Sequence, residues 1–189
     1  MSTIVDLIFE SPVFETDRLT IGRWHPDLAE LAFEIYGDAE IARWLSGTPE
    51  ESVDSMRDRL HEVIERNNRW PECWGSWPMF LTQDRGLVGA LLMKPLPDEN
   101  GDFTSDIEIG WHLARRHWGS GYATEGGRHL IDIAFNELGL SELSAVTNPH
   151  NRRSQNVARR LGMNYQGQTE AYYGQTLDLF KICSSRSED

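Results

Sequence analysis

The sequence lacks the features that mark membrane-spanning, secreted or disulfide-stabilised proteins. Its longest apolar run, Gly86 to Met93, is far too short to cross a bilayer. The first residues, Met1 to Phe9, have no basic n-region and include Asp6, so they do not form a signal peptide. Two cysteines, Cys73 and Cys183, cannot build a disulfide framework. They indicate reduced, buried thiols in a cytoplasmic protein.

Basic residues are also scarce. The 189 residues include 18 Lys and Arg against 30 Asp and Glu, which gives a net charge of −12. This balance excludes broad nucleic-acid binding and suits a cationic substrate. One region departs from it, because seven arginines face four acids between Arg115 and Arg160. Positive charge concentrated there suits a polyanionic ligand. The six histidines show no metal-ligand spacing, so we expect no metal site.

That basic region begins with the stretch Arg115-Arg116-His117-Trp118-Gly119-Ser120-Gly121-Tyr122-Ala123-Thr124. An alternating apolar run precedes it and a segment with helical spacing follows it. A strand, a glycine turn and a helix start together favour anion binding, because the first N–H groups of a helix lack internal partners. The stretch is not a P-loop, since no Lys-Ser or Lys-Thr pair follows its second glycine. It is not a dinucleotide fingerprint either, because Thr124 stands where a third glycine is needed.

Hydrophobic periodicity predicts a chain of alternating strands and helices. The predicted strands are Glu15–Trp24, Trp77–Thr82, Leu87–Lys94, Thr104–Leu113, Ser141–Thr147, Met163–Glu170 and Thr176–Ser184. The predicted helices are Pro26–Tyr36, Pro49–Asn67 with Thr48 as its cap, Gly121–Leu138 and Asn151–Leu161. This order indicates an α/β chain with a mixed sheet. We expect one domain over 1–189, with a loosely ordered extension over 1–14 and a loose tail over 184–189.

Four separated phrases carry a family resemblance. The pattern Arg116-x-x-Gly119-x-Gly121 resembles the pyrophosphate loop of the GNAT superfamily of acyl-CoA-dependent N-acyltransferases. Three further phrases resemble the RimJ/RimL branch of that superfamily: Glu15-Thr-Asp-Arg-Leu19, Asp106-Ile-Glu-Ile-Gly-Trp-His-Leu113, and the run from Asn151 to Gly162. Met163 stands where the family usually has Phe. The resemblance implies the GNAT fold, an α+β fold with a mixed, mostly antiparallel central sheet of about seven strands and four flanking helices.

The resemblance also implies where acetyl-CoA binds. Its pantetheine arm should pair with the backbone near Trp111 to Leu113, at the end of the predicted strand Thr104–Leu113, like a strand added to a sheet edge. Asn151 should bond to the same arm. Its pyrophosphate should lie on the N–H groups between Arg116 and Ala123. The expected cofactor-binding residues are Trp111, His112, Leu113, Arg115, Arg116, Trp118, Gly119, Ser120, Gly121, Tyr122, Ala123, Thr124, Asn151 and Ser154.

Two residues are the predicted catalytic groups. Glu108 resembles the family's general base, and the period-2 pattern directs its side chain away from the face of Ile107 and Ile109. A surface glutamate on a half-buried strand is the alternative. Ser154 would orient the leaving sulfur, because Ala158 occupies the position of the tyrosine that many members use. A helix cap or a first-turn residue is the alternative for Ser154.

Together these features predict a cytoplasmic N-acetyltransferase that moves an acetyl group from acetyl-CoA to a primary amine in a ternary complex. The acceptor amine could be a protein N-terminus, a polyamine or an aminoglycoside. We expect no metal, nucleic acid or membrane partner, and a homodimer is possible from the resemblance. Two alternatives remain open: a catalytically weak CoA-binding module, and the same enzyme with a different donor such as succinyl-CoA.

Overall fold

The protein divides into two compact units that share two long strands. The structure, a computed structural model, describes residues 2–45, 47–71 and 73–185. Unit 1 comprises Met1–Leu92 and Trp111–Ala123, and unit 2 comprises Met93–Gly110 and Thr124–Asp189. The last predicted tail residues, 186–189, lie outside the described residues.

Eight strands and six α-helices are present in the described part of the chain. The strands are β1 (Phe14–Glu15), β2 (Leu19–Ile21), β3 (Gly75–Leu81), β4 (Leu87–Pro97), β5 (Phe103–Leu113), β6 (Glu142–Thr147), β7 (Asn164–Thr169) and β8 (Leu177–Cys183). The helices are α1 (Ile4–Glu10), α2 (Ala29–Tyr36), α3 (Ala39–Ala42), α4 (Val53–Asn67), α5 (Tyr122–Asp132) and α6 (Arg152–Arg160). A 3-10 turn over Pro26–Leu28 precedes α2, and a π-helical turn over Ile133–Glu137 extends α5.

The strands form one mixed sheet in the order β1-β2-β3-β4-β5-β6-β8-β7. Strands β5 and β6 run parallel, with Glu108 opposite Ser144, whereas the pairs β1–β2, β2–β3, β6–β8 and β7–β8 are antiparallel. This confirms the predicted fold class. The predicted strand count is one too low, because the N–H of Thr16 bonds to the carbonyl of Leu19 and turns the chain there. The segment predicted as one strand is therefore the β1–β2 hairpin.

Three helix predictions also need correction. The expected loose extension contains α1, which Thr3 and Asp6 begin with a reciprocal capping box. The short helix α3, capped by Asp38, was not predicted. Helix α4 begins after Ser52 rather than at Pro49, since the Ser52 hydroxyl accepts the N–H of Ser55.

Each unit has buried apolar side chains of its own. In unit 1 the 3-10 turn before α2 and the helices α2 and α4 pack on the sheet through Leu28, Ile35 and Leu60 respectively, all at most 1% exposed. In unit 2, Phe180 of β8 is fully buried and its ring lies 5.3 Å from that of Tyr165. Each such side chain contributes about 1.5–3 kcal/mol by leaving water, which holds the strands that carry the site in place.

Candidate active site

The glycine loop of unit 1 connects β5 to α5 and has the geometry expected of an anion-binding turn. After β5 the N–H of Ala114 bonds to the carbonyl of Val88, and one 3-10 turn follows over Arg115–His117. Gly119 and Gly121 have φ of +79° and +86°, which favour glycine. An added Cβ on Gly119 would meet no atom within 4 Å, so a ligand can approach the backbone there. Helix α5 then begins at Tyr122. The first N–H groups of a helix have no partner within the helix.

The two loop arginines make ion pairs within unit 1. Arg116 donates to Oε2 of Glu34 at 2.8 Å and to the carbonyl of Leu87 at 3.3 Å. Arg115 lies 3.7 Å from a carboxylate oxygen of Asp38, and its side chain is largely exposed. Arg116 therefore anchors the base of the loop, while Arg115 keeps a more solvent-accessible charge.

Other side chains fix the shape of this loop. The indole Nε1 of Trp118 donates to the carbonyl of Leu113 at 2.9 Å. Arg18 donates to the carbonyl of Ser120 at 3.1 Å, and its guanidinium lies 4.7 Å from the ring centre of Tyr122. Arg18 was not among the predicted site residues. It is the arginine of the Glu15–Leu19 phrase, which was the only signal for it in the sequence.

Histidines beside the loop sit in contrasting surroundings. Nδ1 of His112 lies 3.2 Å from the hydroxyl of Tyr36, and burial raises the pKa of Tyr36 to about 12. The ring of His117 packs edge-on against Tyr122. Burial, followed by the nearby Arg116 guanidinium, lowers the pKa of His117 below its ordinary 6.5. His117 therefore favours its neutral form at neutral pH.

The remaining predicted residues between Trp111 and Thr124 differ in burial. Trp111 and His112 are half-buried at the end of β5, Leu113 and Ala123 are buried, and Ser120 is exposed. Unit 1 thus brings together the predicted positions from Trp111 to Ala123. Thr124, buried in the first turn of α5, belongs to unit 2 together with Glu108, Asn151 and Ser154.

In unit 2, Asn151 caps helix α6. Its Oδ1 accepts the N–H of Ser154 at 3.2 Å, so Ser154 is a first-turn residue. Because the cap uses Oδ1, the Nδ2 group of Asn151 is the part able to donate to a ligand. The start of α6 is held further by Gln155, which donates to the carbonyl of Pro149 and to Oδ2 of Asp178.

Glu108 is buried rather than surface-facing. Its side chain is 10% exposed, and Oε2 lies 3.0 Å from Nζ of Lys94. The hydroxyl of Tyr173 donates to the same oxygen at 2.5 Å. A buried carboxylate needs such partners, because desolvation without them is costly. The alternative of a solvent-facing strand glutamate is therefore wrong.

A second buried polar atom lies at the end of β6. Thr147 is 5% exposed, and its Oγ1 finds no hydrogen-bond partner among the described residues. A buried hydroxyl without a partner indicates a place where a bound molecule can supply one. In unit 2, this hydroxyl and the Nδ2 group of Asn151 are therefore two polar groups suited to an amide-containing ligand.

Sequence reasoning missed Lys94 and Tyr173 as site residues. Lys94 is one of only two lysines in the sequence, and it fell at the end of a predicted strand. Tyr173 lies 65 positions from Glu108, so no local pattern links the two. The scarcity of lysine was the only signal in the sequence.

The described residues contain neither a metal-binding cluster nor a membrane-spanning helix. No group of three His, Cys, Asp or Glu side chains comes together there in a way that could hold a metal ion. None of the helices in residues 2–45, 47–71 and 73–185 combines the length and apolar character needed to span a membrane.

Known proteins resemble this chain over most of its length. The N-acetyltransferase p20 of Bacillus licheniformis, itself described as uncharacterized, is 25% identical over 92% of this chain and 96% of its own. The FsC-acetyl coenzyme A-N(2)-transacetylase of Aspergillus fumigatus is 33% identical over 82% of this chain and 66% of its own. The solved structure of RimL, described as a ribosomal L7/L12 alpha-N-protein acetyltransferase in complex with coenzyme A, shares the fold. Its TM-score is 0.71 and its identity is 14%, over 92% of this chain and 98% of that one.

The family model confirms the resemblance that the glycine loop and its flanking phrases suggested. Residues 18–164 match the description "Acetyltransferase (GNAT) domain". The match begins at Arg18, includes Glu108 and the whole glycine loop, and ends with the first residue of β7. The chain belongs to the GNAT family and is an N-acetyltransferase.

Proposed function

We propose that this enzyme transfers an acetyl group from acetyl-CoA to a primary amine by direct attack in a ternary complex, within one acyltransferase domain. The observation that carries the proposal is the carboxylate of Glu108, buried on β5 of a GNAT chain with Oε2 held by Lys94 and Tyr173. A free amine has a pKa of roughly 8 to 10, so it must lose a proton before it attacks. Glu108 is the group proposed to take that proton.

The chain's residues would divide the remaining work. The loop N–H groups from Arg116 to Ala123 and the start of α5 would hold the pyrophosphate. The backbone from Trp111 to Leu113 and the Nδ2 group of Asn151 would hold the pantetheine arm. When bound, acetyl-CoA supplies the activated acyl group. As the new C–N bond forms and the C–S bond breaks, Ser154 would orient the departing sulfur, which leaves as a thiolate because a thiol has a pKa of about 8.5.

Two acceptor classes have support from different relatives. The name of the Aspergillus transacetylase specifies one numbered acceptor nitrogen, N(2), as names of small molecules do, which supports a small amine. The RimL likeness favours a protein N-terminus, although at 14% identity it rests on fold alone. The net charge of −12 suits either class, since both acceptors are cationic. Polyamines and aminoglycosides represent the small amines.

We further propose a cytoplasmic, homodimeric enzyme, as in the RimJ/RimL interpretation of the sequence. Sedimentation equilibrium of the full chain tests the dimer directly. A molar mass twice the 21.6 kDa of the chain supports it, and a monomer at every concentration contradicts it.

The enzymatic test is thiol release from acetyl-CoA with a panel of N-terminal peptides, polyamines and aminoglycosides. The test variant is Glu108→Gln. We expect turnover with one amine class and a loss of roughly 10²–10⁴ in kcat/KM for this variant, the usual contribution of a general base. The matched control is Glu142→Gln, because Glu142 is also a strand glutamate bonded to a lysine, at 2.6 Å from Lys181.

Each outcome has a defined meaning. Turnover that Glu108→Gln leaves unchanged would show that the base is another group. Tight acetyl-CoA binding without turnover of any amine would favour the CoA-binding module. Turnover with succinyl-CoA in place of acetyl-CoA would favour a different donor.

A further inference from the structure

The loop between β7 and β8 lies against the strand that carries Glu108. Tyr172 is buried, and its hydroxyl donates to Oδ2 of Asp106 at 2.6 Å. Burial, strengthened by the Asp106 carboxylate, raises the pKa of Tyr172 to about 12, so its phenol stays protonated and able to donate. The next residue, Tyr173, donates to Glu108. Two consecutive tyrosines therefore bind two carboxylates that are two residues apart on β5.

Tyr173 makes this contact from an unfavourable backbone conformation. Its φ is +58°, in the left-handed region that side-chain-bearing residues rarely adopt. The N–H of Tyr173 bonds to the carbonyl of Pro97 at 3.3 Å, and a Cβ added to Gly174 would lie 3.3 Å from the carbonyl oxygen of Glu99. A left-handed residue held by its surroundings is often a functional one. Here it brings a phenol that is 38% exposed onto a buried carboxylate.

Lys94 completes a triangle of contacts. Its Nζ donates to the hydroxyl of Tyr173 at 2.6 Å and lies 3.0 Å from Oε2 of Glu108. The ammonium also lies 5.1 Å from the ring centre of Tyr173. The Lys94 side chain is 14% exposed, so neither charge of the pair is fully solvated. Each charge therefore depends on the other for compensation.

Both contacts fall on the same oxygen of Glu108. Within the described residues, Oε2 receives the phenol and the ammonium, while Oε1 makes neither a hydrogen bond nor an ion pair. Two donors on one oxygen fix the torsion angles of the carboxylate and leave the other oxygen as acceptor. A group that must take a proton from a small, mobile amine benefits from this fixed position.

We propose that Lys94 and Tyr173 are positioning residues for Glu108: they hold Oε2 so that Oε1 is presented to the acceptor amine. This inference rests on the proposed role of Glu108 as base. Because Tyr173 is partly exposed beside that carboxylate, its ring also forms part of the surface that the acceptor contacts.

The experiment is a double-mutant cycle read by steady-state kinetics, with the concentrations of acetyl-CoA and of the amine varied in turn. Lys94→Met, Lys94→Arg and Tyr173→Phe are made in the wild-type protein and in Glu108→Gln. We expect Lys94→Met and Tyr173→Phe to lower kcat by about tenfold or more, as misplacement of a catalytic group does, with the KM for acetyl-CoA unchanged. Lys94→Arg should restore most of the rate. In the Glu108→Gln background the same changes should cost nothing more, because they act through Glu108.

Lys181→Met is the control for loss of a lysine, since Lys181 and Lys94 are the only lysines of the chain. Circular dichroism melting checks folding. If Lys94→Met does not fold, Tyr173→Phe carries the test, because it removes one hydroxyl from a partly exposed ring.

Three outcomes would overturn the inference. Equal losses in both backgrounds would mean that Lys94 and Tyr173 act independently of Glu108. A higher kcat/KM for the amine in Lys94→Met would mean that Lys94 blocks the acceptor site. Wild-type rates in Lys94→Met and Tyr173→Phe, together with an impaired Glu108→Gln, would refute the positioning role but leave Glu108 as the proposed base. By contrast, an active Glu108→Gln would refute the proposed base itself.

Discussion

Gly89 of β4 approaches the backbone of His112 on β5 so closely that an added Cβ would lie 2.0 Å from the His112 carbonyl oxygen. The same Cβ would lie 2.8 Å from the Cα of Leu113, so a side chain at position 89 would force two backbones apart. The residues displaced would be those predicted to pair with the pantetheine arm. Glycine at this position therefore permits the local geometry of the predicted donor site.

Gly89→Ala should consequently destabilise the protein and weaken CoA binding. Overpacking typically costs about 1–3 kcal/mol, and here the obstacle is backbone, which cannot rotate away. Urea unfolding and CoA titration calorimetry measure the two effects. Gly86→Ala is the matched control, because its Cβ would meet first a movable side-chain oxygen of Asp84, at 3.1 Å. Equal stability of the two variants would contradict the prediction.

Gly119→Ala separates backbone strain from ligand approach. Gly119 and Gly101 both have left-handed backbones, with φ of +79° and +90°, and an added Cβ meets nothing within 4 Å at either. Both alanine variants should lose roughly 1–2 kcal/mol of stability. Only Gly119→Ala should weaken CoA binding, because its Cβ would occupy the side that the pyrophosphate approaches. A similar Kd for both variants would place the phosphate elsewhere.

Two substitutions at Asn151 distinguish its cap from its predicted ligand contact. Asn151→Asp keeps the oxygen that accepts the N–H of Ser154, but it removes the Nδ2 donor. We expect Asn151→Asp to melt like the wild type and to bind CoA more weakly. Asn151→Ala should lose about 1 kcal/mol of stability as well, the usual cost of a lost cap. Unchanged CoA affinity in Asn151→Asp would limit Asn151 to the cap.

His117 should make the protein less stable as the pH falls. Its pKa is lower in the folded protein than the ordinary 6.5, so the folded state favours the neutral ring. The stability that this contributes is present above the unfolded pKa and is lost as the pH falls through 6.5 toward the folded value. Urea midpoints measured between about pH 7.5 and pH 5 should therefore fall less in His117→Gln than in the wild type. Parallel curves would show that His117 does not titrate differently on folding.

The sequence predicted the elements whose cause is local. Apolar periodicity located α2, and glycines marked the loop before α5 and the end of its π-helical extension. The predicted start of α4 was wrong because the sequence offers two capping patterns there. Thr48-Pro49 matches the usual pattern, but Ser52 forms the reciprocal bonds with Ser55.

The immediate surroundings of the candidate base could not be predicted. Glu108 was found by its place in a strand phrase, but its burial depends on a loop 65 residues later. Arg18 reaches Ser120 across 102 positions. Such pairs arise from strand order and loop packing, which no short window of sequence encodes. The sequence phrases therefore pointed to Glu108 itself, whereas its hydrogen-bond and ion-pair partners became visible only in the folded structure.

The two lysines of the chain have a practical consequence for work with the enzyme. Both are ion-paired, Lys94 with Glu108 and Lys181 with Glu142, and the other sixteen basic residues are arginines. The protein therefore offers its own acetyl donor only two competing side-chain amines. In an intact-mass assay the enzyme itself should gain few acetyl groups, so that the mass gained by an added acceptor is easily distinguished.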